Sequence, residues 1–197
     1  MKYAILADIH SNLEALQVVL EDAKVQKCTH YTCLGDVVGY NANPKECLDI
    51  IRDMGMPCVK GNHDEYCSIE SNLEGFNPHA AEAIQWTRNQ LTEEDRDWLR
   101  SLKYIRLVAS FSIVHATLDG PQRWGYVFDR LAAAASFTYQ NTRSAFSATR
   151  TCRWRSSGTA WCAAAPTRNS RLSPAGSTSS TSAAWDSRAT ACPRRRT

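Results

Sequence analysis

Four short stretches place metal-ligating side chains where apolar runs end: Asp8-Ile9-His10, Gly35-Asp36, Gly61-Asn62-His63-Asp64 and Val114-His115. The Asp-x-His spacing sends a carboxylate and an imidazole from one turn toward one point, which suits a cation better than an apolar core. Asp36 follows a glycine that lets the backbone turn close to a ligand, and its carboxylate is free to bridge two ions. Asn62 adds a neutral amide oxygen, while His63 and His115 add imidazoles. That mixture of oxygen and nitrogen donors suits manganese, iron, zinc or cobalt. Cysteine does not compete for the role: Cys28, Cys33, Cys47, Cys58 and Cys67 lack close zinc-type spacing, and several lie in apolar stretches where a thiol behaves as a small hydrophobe. Singly, each stretch is weak, since Gly-Asp is a common turn dipeptide and a lone histidine after a strand is more often a satisfied buried polar group. Four in series, each closing a strand, point to one two-metal centre at the carboxyl ends of the strands of an open α/β sheet.

The elements that must position these residues alternate between strand and helix. The run Tyr3 to Ala7 is a strand, and from Asn12 to Lys27 the residues Leu13, Leu16, Val19, Leu20 and Ala23 share one helical face. Tyr31 to Gly35 is the next strand. Asn43-Pro44 is a cap followed by a first-turn proline, opening a helix that runs toward Gly55. Pro57 to Lys60 forms a short strand leading into Gly61. Helices follow over Pro78 to Leu91 and after the cap Thr92-Glu93-Glu94. Tyr104 to Val108 and Phe111 to His115 are strands, and Leu131 to Phe137 is a further helix. Strand, crossover helix and strand units indicate a mostly parallel sheet with covered faces.

The order and wording of the four blocks resemble the calcineurin-like metallophosphoesterase superfamily, whose pattern is Asp-x-His, Gly-Asp, Gly-Asn-His-Asp/Glu, a strand-end His and finally Gly-His-x-His. The resemblance covers residues 1 to about 142 and implies an α/β fold, the four-layer αββα sandwich, incomplete here at its C-terminal end. It implies two divalent ions drawn from Mn, Fe, Zn, Co and Ni, with manganese first. Asp8 and His10 would bind one metal, Asp36 would bridge, and Asn62 and His115 would bind the other. A bridging hydroxide would attack a phosphodiester or phosphomonoester, and His63 would be the catalytic acid beside the leaving group. Asp64 would orient His63 or cap the turn that follows. Gly39 stands three residues after Asp36, where the phosphatase branch carries a further aspartate. This favours the short bacterial and archaeal phosphodiesterase-like branch.

The fifth block is missing. Within the 197 residues the last histidine is His115. From Arg143 to Thr197 there is no Val, Ile, Lys, Glu or His, and Asp186 is the sole acid. We expect two regions: a metallophosphoesterase domain over 1–142 and an aberrant, frame-shifted or disordered tail over 143–197 that as written cannot supply strands. Codons rebuilt with a one-base shift let Ser147 to Cys152 read as ending in Gly-His-Thr-His-Val. The same frame makes a strand of Arg143 to Phe146 and a glycine-rich turn of Thr181 to Ser187. The chain as written would then lack two imidazoles, one for each metal, and its activity would be impaired.

The charge balance must be divided in the same way. The whole chain carries +3, but residues 1–142 hold 13 basic against 19 acidic side chains, a net of −6, while 143–197 hold 10 arginines against one aspartate, a net of +9. The basic balance belongs to the tail and does not indicate a nucleic-acid partner. No run approaches the ~20 apolar residues that span a bilayer, and the N-terminus opens on a strand. We therefore expect a cytoplasmic protein acting on a phosphate-ester small molecule or nucleotide, with no membrane and no specific nucleic-acid binding. The rival from another class is a non-catalytic binding or scaffold protein that keeps the fold. Tyr40, His30, His79 and Arg123 are read as structural or exposed first, with Tyr40 bordering the pocket and Arg123 contacting a substrate phosphate as the alternatives; for Trp124, covering the active site and plugging the domain surface carry equal weight.

Overall fold

The computed structural model describes residues 1–149. The chain divides into two units, Met1–Ala165 and Pro166–Thr197, and every described residue lies in the first. Strands β1 (Tyr3–Leu6) and β2 (His30–Cys33) pair in parallel, and helix α1 (Leu13–Val25) makes the crossover between them. Asn12 caps α1 by accepting from the Ala15 amide at 3.0 Å. Helix α2 (Pro44–Asp53) begins at the proline, whose fixed φ and missing N–H suit a first turn. A short helix, α3 (Asn62–Ser68), starts inside the Gly-Asn-His-Asp stretch, and α4 (Pro78–Gln90) and α5 (Glu93–Ser101) follow. Beyond them come β3 (Ile105–Val108), β4 (Phe111–Val114), a single 3-10 turn at Pro121–Arg123, helix α6 (Arg130–Phe137) and β5 (Ser144–Ser147).

Two sheets result: β1-β2, and β3-β4-β5. Period-2 alternation decides which face each residue serves. Tyr3, Ile5, Ala7 and Leu34 point to one side and meet Val108, Phe111, Ile113, Phe146 and Ala148 of the second sheet. Leu6, Tyr31 and Cys33 point to the other side and pack with Leu16, Leu48, Ile51, Ile84 and Leu99 of the helices. The mixed α/β architecture expected from the sequence is present, with a helical layer, a sheet and a second sheet stacked in that order. No residue of α6 belongs to either cluster.

The structure departs from the sequence reading in four places. The segment after Pro57 is not a continuous strand; it makes isolated parallel bridges, Cys33 with Cys58 and Val59 with Lys103, and so links the first sheet to the approach to β3. The strand pairing is mostly parallel, as expected, with one exception: β3 and β4 are an antiparallel hairpin joined through Ala109 and Ser110. Helix α3 was not expected. Finally, the stretch after residue 142 does supply a strand. Ser144–Ser147 pairs in parallel with β4, Phe111 opposite Ser144 and Val114 opposite Ser147. Backbone pairing needs no particular side chains, and the segment buries the polar Ser147 and Thr149 as well as Ala145 and Ala148, with Phe146 partly buried against the second core. The remainder of the expected tail, 150–197, lies outside the described residues.

Candidate metal centre

The parallel β1–β2 pair does not stop at the strand ends. The amides of Asp8, His10 and Ser11 continue the ladder by donating to the carbonyls of Gly35, Asp36 and Val37 at 3.1, 2.9 and 2.9 Å. The Asp-x-His and Gly-Asp loops are thereby zipped to each other. The geometry demands left-handed backbone at Asp8 (φ 54), His10 (φ 47), Ser11 (φ 57), Asp36 (φ 55) and Tyr40 (φ 65). Such conformations are uncommon for side-chain-bearing residues and concentrate where function over-determines them.

Asp64 joins the third loop to the other two. Its carboxylate is fully buried and accepts from the amides of Asp36 (2.8 Å), Val37 (2.9 Å), Val38 (3.3 Å) and Gly61 (3.0 Å). It thus holds the Gly-Asp loop against the first turn of α3. The sequence reading gave Asp64 a choice between orienting His63 and capping a turn; the structure shows it clamping two loops as well as capping. Gly61 is needed because a Cβ there would fall 2.1 Å from Asp36 Oδ1. Gly39, in left-handed conformation at φ 94, passes so close to His63 that a Cβ would lie 2.6 Å from its Nδ1. Both glycines can be found in the sequence, but the contacts that require them cannot.

Around this frame the donors converge. Asp36 Oδ2 lies 3.5 Å from His10 Nε2 and 3.4 Å from His115 Nε2. His115 Nδ1 is 2.8 Å from the Leu34 carbonyl and His10 Nδ1 3.3 Å from that of Val38. Donation to those carbonyls assigns the proton to Nδ1 and turns a bare Nε2 lone pair toward Asp36, the orientation a metal-ligating imidazole needs. Asp36 Oδ1 meanwhile accepts from the His63 amide at 2.8 Å. Ligand atoms of His10, Asp36 and His63 form one set within 4.8 Å of one another, and those of Asp8, Asp36 and His115 form a second. Asp36 is common to both. The structure therefore groups His10 with His63 and Asp8 with His115, whereas the resemblance pairs Asp8 with His10. Asn62 is the first residue of α3, next to His63.

The electrostatics leave room for cations. Burial, and then the charges of Asp64 and Asp8, push the Asp36 carboxyl well above the usual carboxylate range, against the His63 amide bond that lowers it. Burial lowers His10, opposed by its bond to Val38 and by Asp8. Burial also takes His63 down to about 3, with His10 and His115 adding to the effect. Its Nδ1 is buried without a hydrogen-bond partner. Among the described residues the ion-pair partners of Asp36 are the two imidazoles, and the nearby buried cations are used elsewhere: Lys60 bonds the Arg100 carbonyl and Arg88 the Tyr66 carbonyl. A buried, uncompensated carboxylate cluster faced by bare imidazole nitrogens fits divalent ions. His30, against Tyr3, and exposed His79 stand apart from the centre, as expected. Arg123 is exposed, and Trp124 lies 6.1 Å from the His115 ring.

Loops at the carboxyl ends of two parallel strands, converging on shared carboxylate and imidazole donors, define a metal-centred α/β protein. The model of the calcineurin-like phosphoesterase family matches residues 1–137, and the chain belongs to that family. It is 41% identical over 129 residues to "Uncharacterized protein MJ0912" of Methanocaldococcus jannaschii, an alignment covering 64% of this chain and 53% of the relative. The chain thus spans about half the length of that curated relative. Among solved structures it resembles a metallophosphoesterase from Sphaerobacter thermophilus, with TM-score 0.66 and 35% identity over 75% of this chain and 60% of the other. Hypothetical protein PH1004 from Pyrococcus horikoshii OT3 shares the fold, with TM-score 0.71 and 20% identity over 81% and 75% of the two chains.

Proposed function

We propose that the chain is built to hydrolyse phosphate esters at a two-metal centre, in the manner of the phosphodiesterase-like members of its family. The observation that carries this reading is the pair of donor sets that share one buried carboxylate, Asp36, whose ion-pair partners among the described residues are imidazoles rather than Lys or Arg. Divalent cations bound there, manganese first among the candidates, would neutralise phosphoryl charge and lower the pKa of a water. Asp8, His10, Asp36, Asn62 and His115 would hold them. Asp64 keeps the loops in register, and the Leu34 and Val38 carbonyls aim the two imidazoles. Burial keeps His63 neutral, and an anionic ester arriving beside it would raise its pKa and equip it to protonate the leaving oxygen.

A second reading rests on the absence of any histidine after His115 in the 197 residues. Without the final Gly-His-x-His pair, the site would hold metal loosely and turn over slowly, and the chain would serve as a binding or scaffold protein that keeps the fold. Hydrolysis of bis(p-nitrophenyl) phosphate with added Mn, measured beside metal content, separates the two. We expect weak activity from the chain as written and strong activity from a gene restored by one base near codon 142. Full activity from the written chain, on a gene confirmed by resequencing, would overturn the frame-shift reading. No metal and no activity from the restored gene would overturn the enzyme reading.

A further inference from the structure

The ring of Tyr40 stands at the lip of the metal centre, and the chemistry above does not use it. Its centroid lies 4.4 Å from the His63 ring, tilted at 45°, and 4.9 Å from the His10 ring, edge-on at 78°. It is nevertheless 51% exposed. Both facts are held in place by the backbone. Tyr40 adopts φ 65, a left-handed conformation that a bulky aromatic residue rarely takes. The next residue fastens it there: the Asn41 amide donates to the Gly39 and His10 carbonyls at 2.9 and 3.2 Å, and the Asn41 side-chain amide donates to the His10 carbonyl at 2.7 Å. A large ring held in a costly conformation, half in solvent, against the group assigned to the leaving oxygen, is placed to meet whatever the leaving group carries. Tyr126 is also half exposed, and burial, then the charges of Asp36, Asp8 and Tyr40, push its phenol above the ordinary range. Its segment is tied to the site, because Thr149 donates its hydroxyl to the Gly125 carbonyl and its amide to the His115 carbonyl.

We infer that Tyr40 is a specificity-determining residue whose ring stacks on a planar aromatic group, an aryl ring or a nucleobase, carried by the leaving side of the ester. This rests on the phosphoester reading and narrows it to esters with an aromatic substituent. Ring faces attract planar partners in offset or edge geometry, and the attraction tolerates different rings because each offers a π-face. The contact uses the ring and does not require the hydroxyl.

The test is calorimetric binding to the full-length, Mn-loaded protein with two matched pairs: phenylphosphonate against methylphosphonate, and AMP against ribose 5-phosphate. The phosphonates cannot be hydrolysed, so the reading does not depend on turnover. Phenylphosphonate should bind about tenfold tighter than methylphosphonate. Tyr40→Phe should keep that preference. Tyr40→Asn, whose side chain tolerates left-handed backbone, should erase it while leaving methylphosphonate affinity little changed; Tyr40→Gly gives the same comparison if the asparagine variant folds poorly. A matching preference for AMP would identify a nucleobase as the group received, and a preference confined to phenylphosphonate would identify an aryl ring. Equal affinities within both pairs in the unmodified protein, or a preference that survives removal of the ring, would overturn the inference while the phosphoester reading stands. If none of the four bound, the phosphoester reading itself would fall, and the inference with it.

Discussion

Asp36 and Asp95 are both carboxylates taken almost wholly out of water, 3% and 1% exposed, yet the protein treats them in opposite ways. At Asp95 burial pushes the pKa up, but the Thr92 hydroxyl and amide, at 2.7 and 3.0 Å, and Lys45, at 3.2 Å, outweigh it and hold the carboxyl below its ordinary value. Arg52 adds a second cation at 3.4 Å. At Asp36 burial is compounded by the neighbouring carboxylates of Asp64 and Asp8, and the only ion-pair partners described are two imidazoles. The fold is able to satisfy a buried acid, and does so at the α2–α5 corner. At the strand ends, among the described residues, no Lys or Arg answers the same kind of acid. On the proposed reading, Asp95 serves stability and Asp36 serves an ion.

Removing each carboxylate should break the comparison most visibly. Asp36→Ala is expected to strip essentially all bound metal, whereas Asp95→Ala should keep it and lose stability alone; metal content by mass spectrometry after dialysis decides, and retention of metal by the Asp36 variant would reverse the assignment. Next in size is the clamp. Asp64→Asn presents an amide where four backbone N–H groups need an acceptor, and charge-assisted bonds of this kind are worth ~1.5–3 kcal/mol each. The loops should lose register and turnover should fall by about 100-fold, with the loss in kcat rather than KM; unchanged turnover would show that Asp64 only caps α3. His63→Ala then tests the role of the imidazole. We expect turnover to fall ~10²–10⁴-fold with metal content nearly unchanged. Loss of one metal would instead make His63 a ligand, as its grouping with His10 and Asp36 permits.

Acid and base should act on the two corners with opposite signs. The folded pKa of Asp36 is raised, so its contribution to apo-protein stability is fully present below the unfolded value and is lost as pH rises through the raised one. The folded pKa of Asp95 is lowered, so its contribution is present above the unfolded value and is lost as pH falls through the lowered one. Thermal melts of the metal-free protein should therefore show a decline toward higher pH that Asp36→Asn removes and saturating metal suppresses, and an acid-side decline that Asp95→Asn removes. Identical pH profiles for the two variants would erase the distinction. The smallest effect expected is from Thr92→Ala, which removes the cap of α5 at a cost of about 1 kcal/mol, seen as a lower denaturant midpoint with metal content unaltered.

Much of this was legible in the residues, and what was not has a physical reason. The face of α1 was readable because Leu13, Leu16, Val19, Leu20 and Ala23 recur at helical spacing; the first four pack in or against the first core, and Ala23 is buried. The convergence of Asp8, His10, Asp36, His63 and His115 was readable because each stands where an apolar run ends. The partition of donors between two sets was not, since it depends on distances across loops. Nor were the Leu34 and Val38 carbonyls that aim His115 and His10, because every residue carries a carbonyl and the sequence does not mark which one faces a ring. Helix α3 escaped notice because seven residues with a short polar start show little apolar periodicity. β5 is hidden for the opposite reason: a composition poor in strand-forming residues argues against a strand, although pairing with β4 supplies backbone hydrogen bonds whatever the side chains are.

The amides of Ala148 and Thr149 both donate to the carbonyl of His115, at 2.9 and 3.0 Å. That small junction imposes an order on manufacture. Synthesis proceeds from the N-terminus at roughly 5–20 residues per second, so Asp8, His10, Asp36 and His63 are already made and able to dock while His115 still lacks the partners that fix its backbone. The backbone around His115 is completed only when the chain has been extended past β5, and a nascent chain halted between the two would carry the other donors while His115 lacked these two bonds.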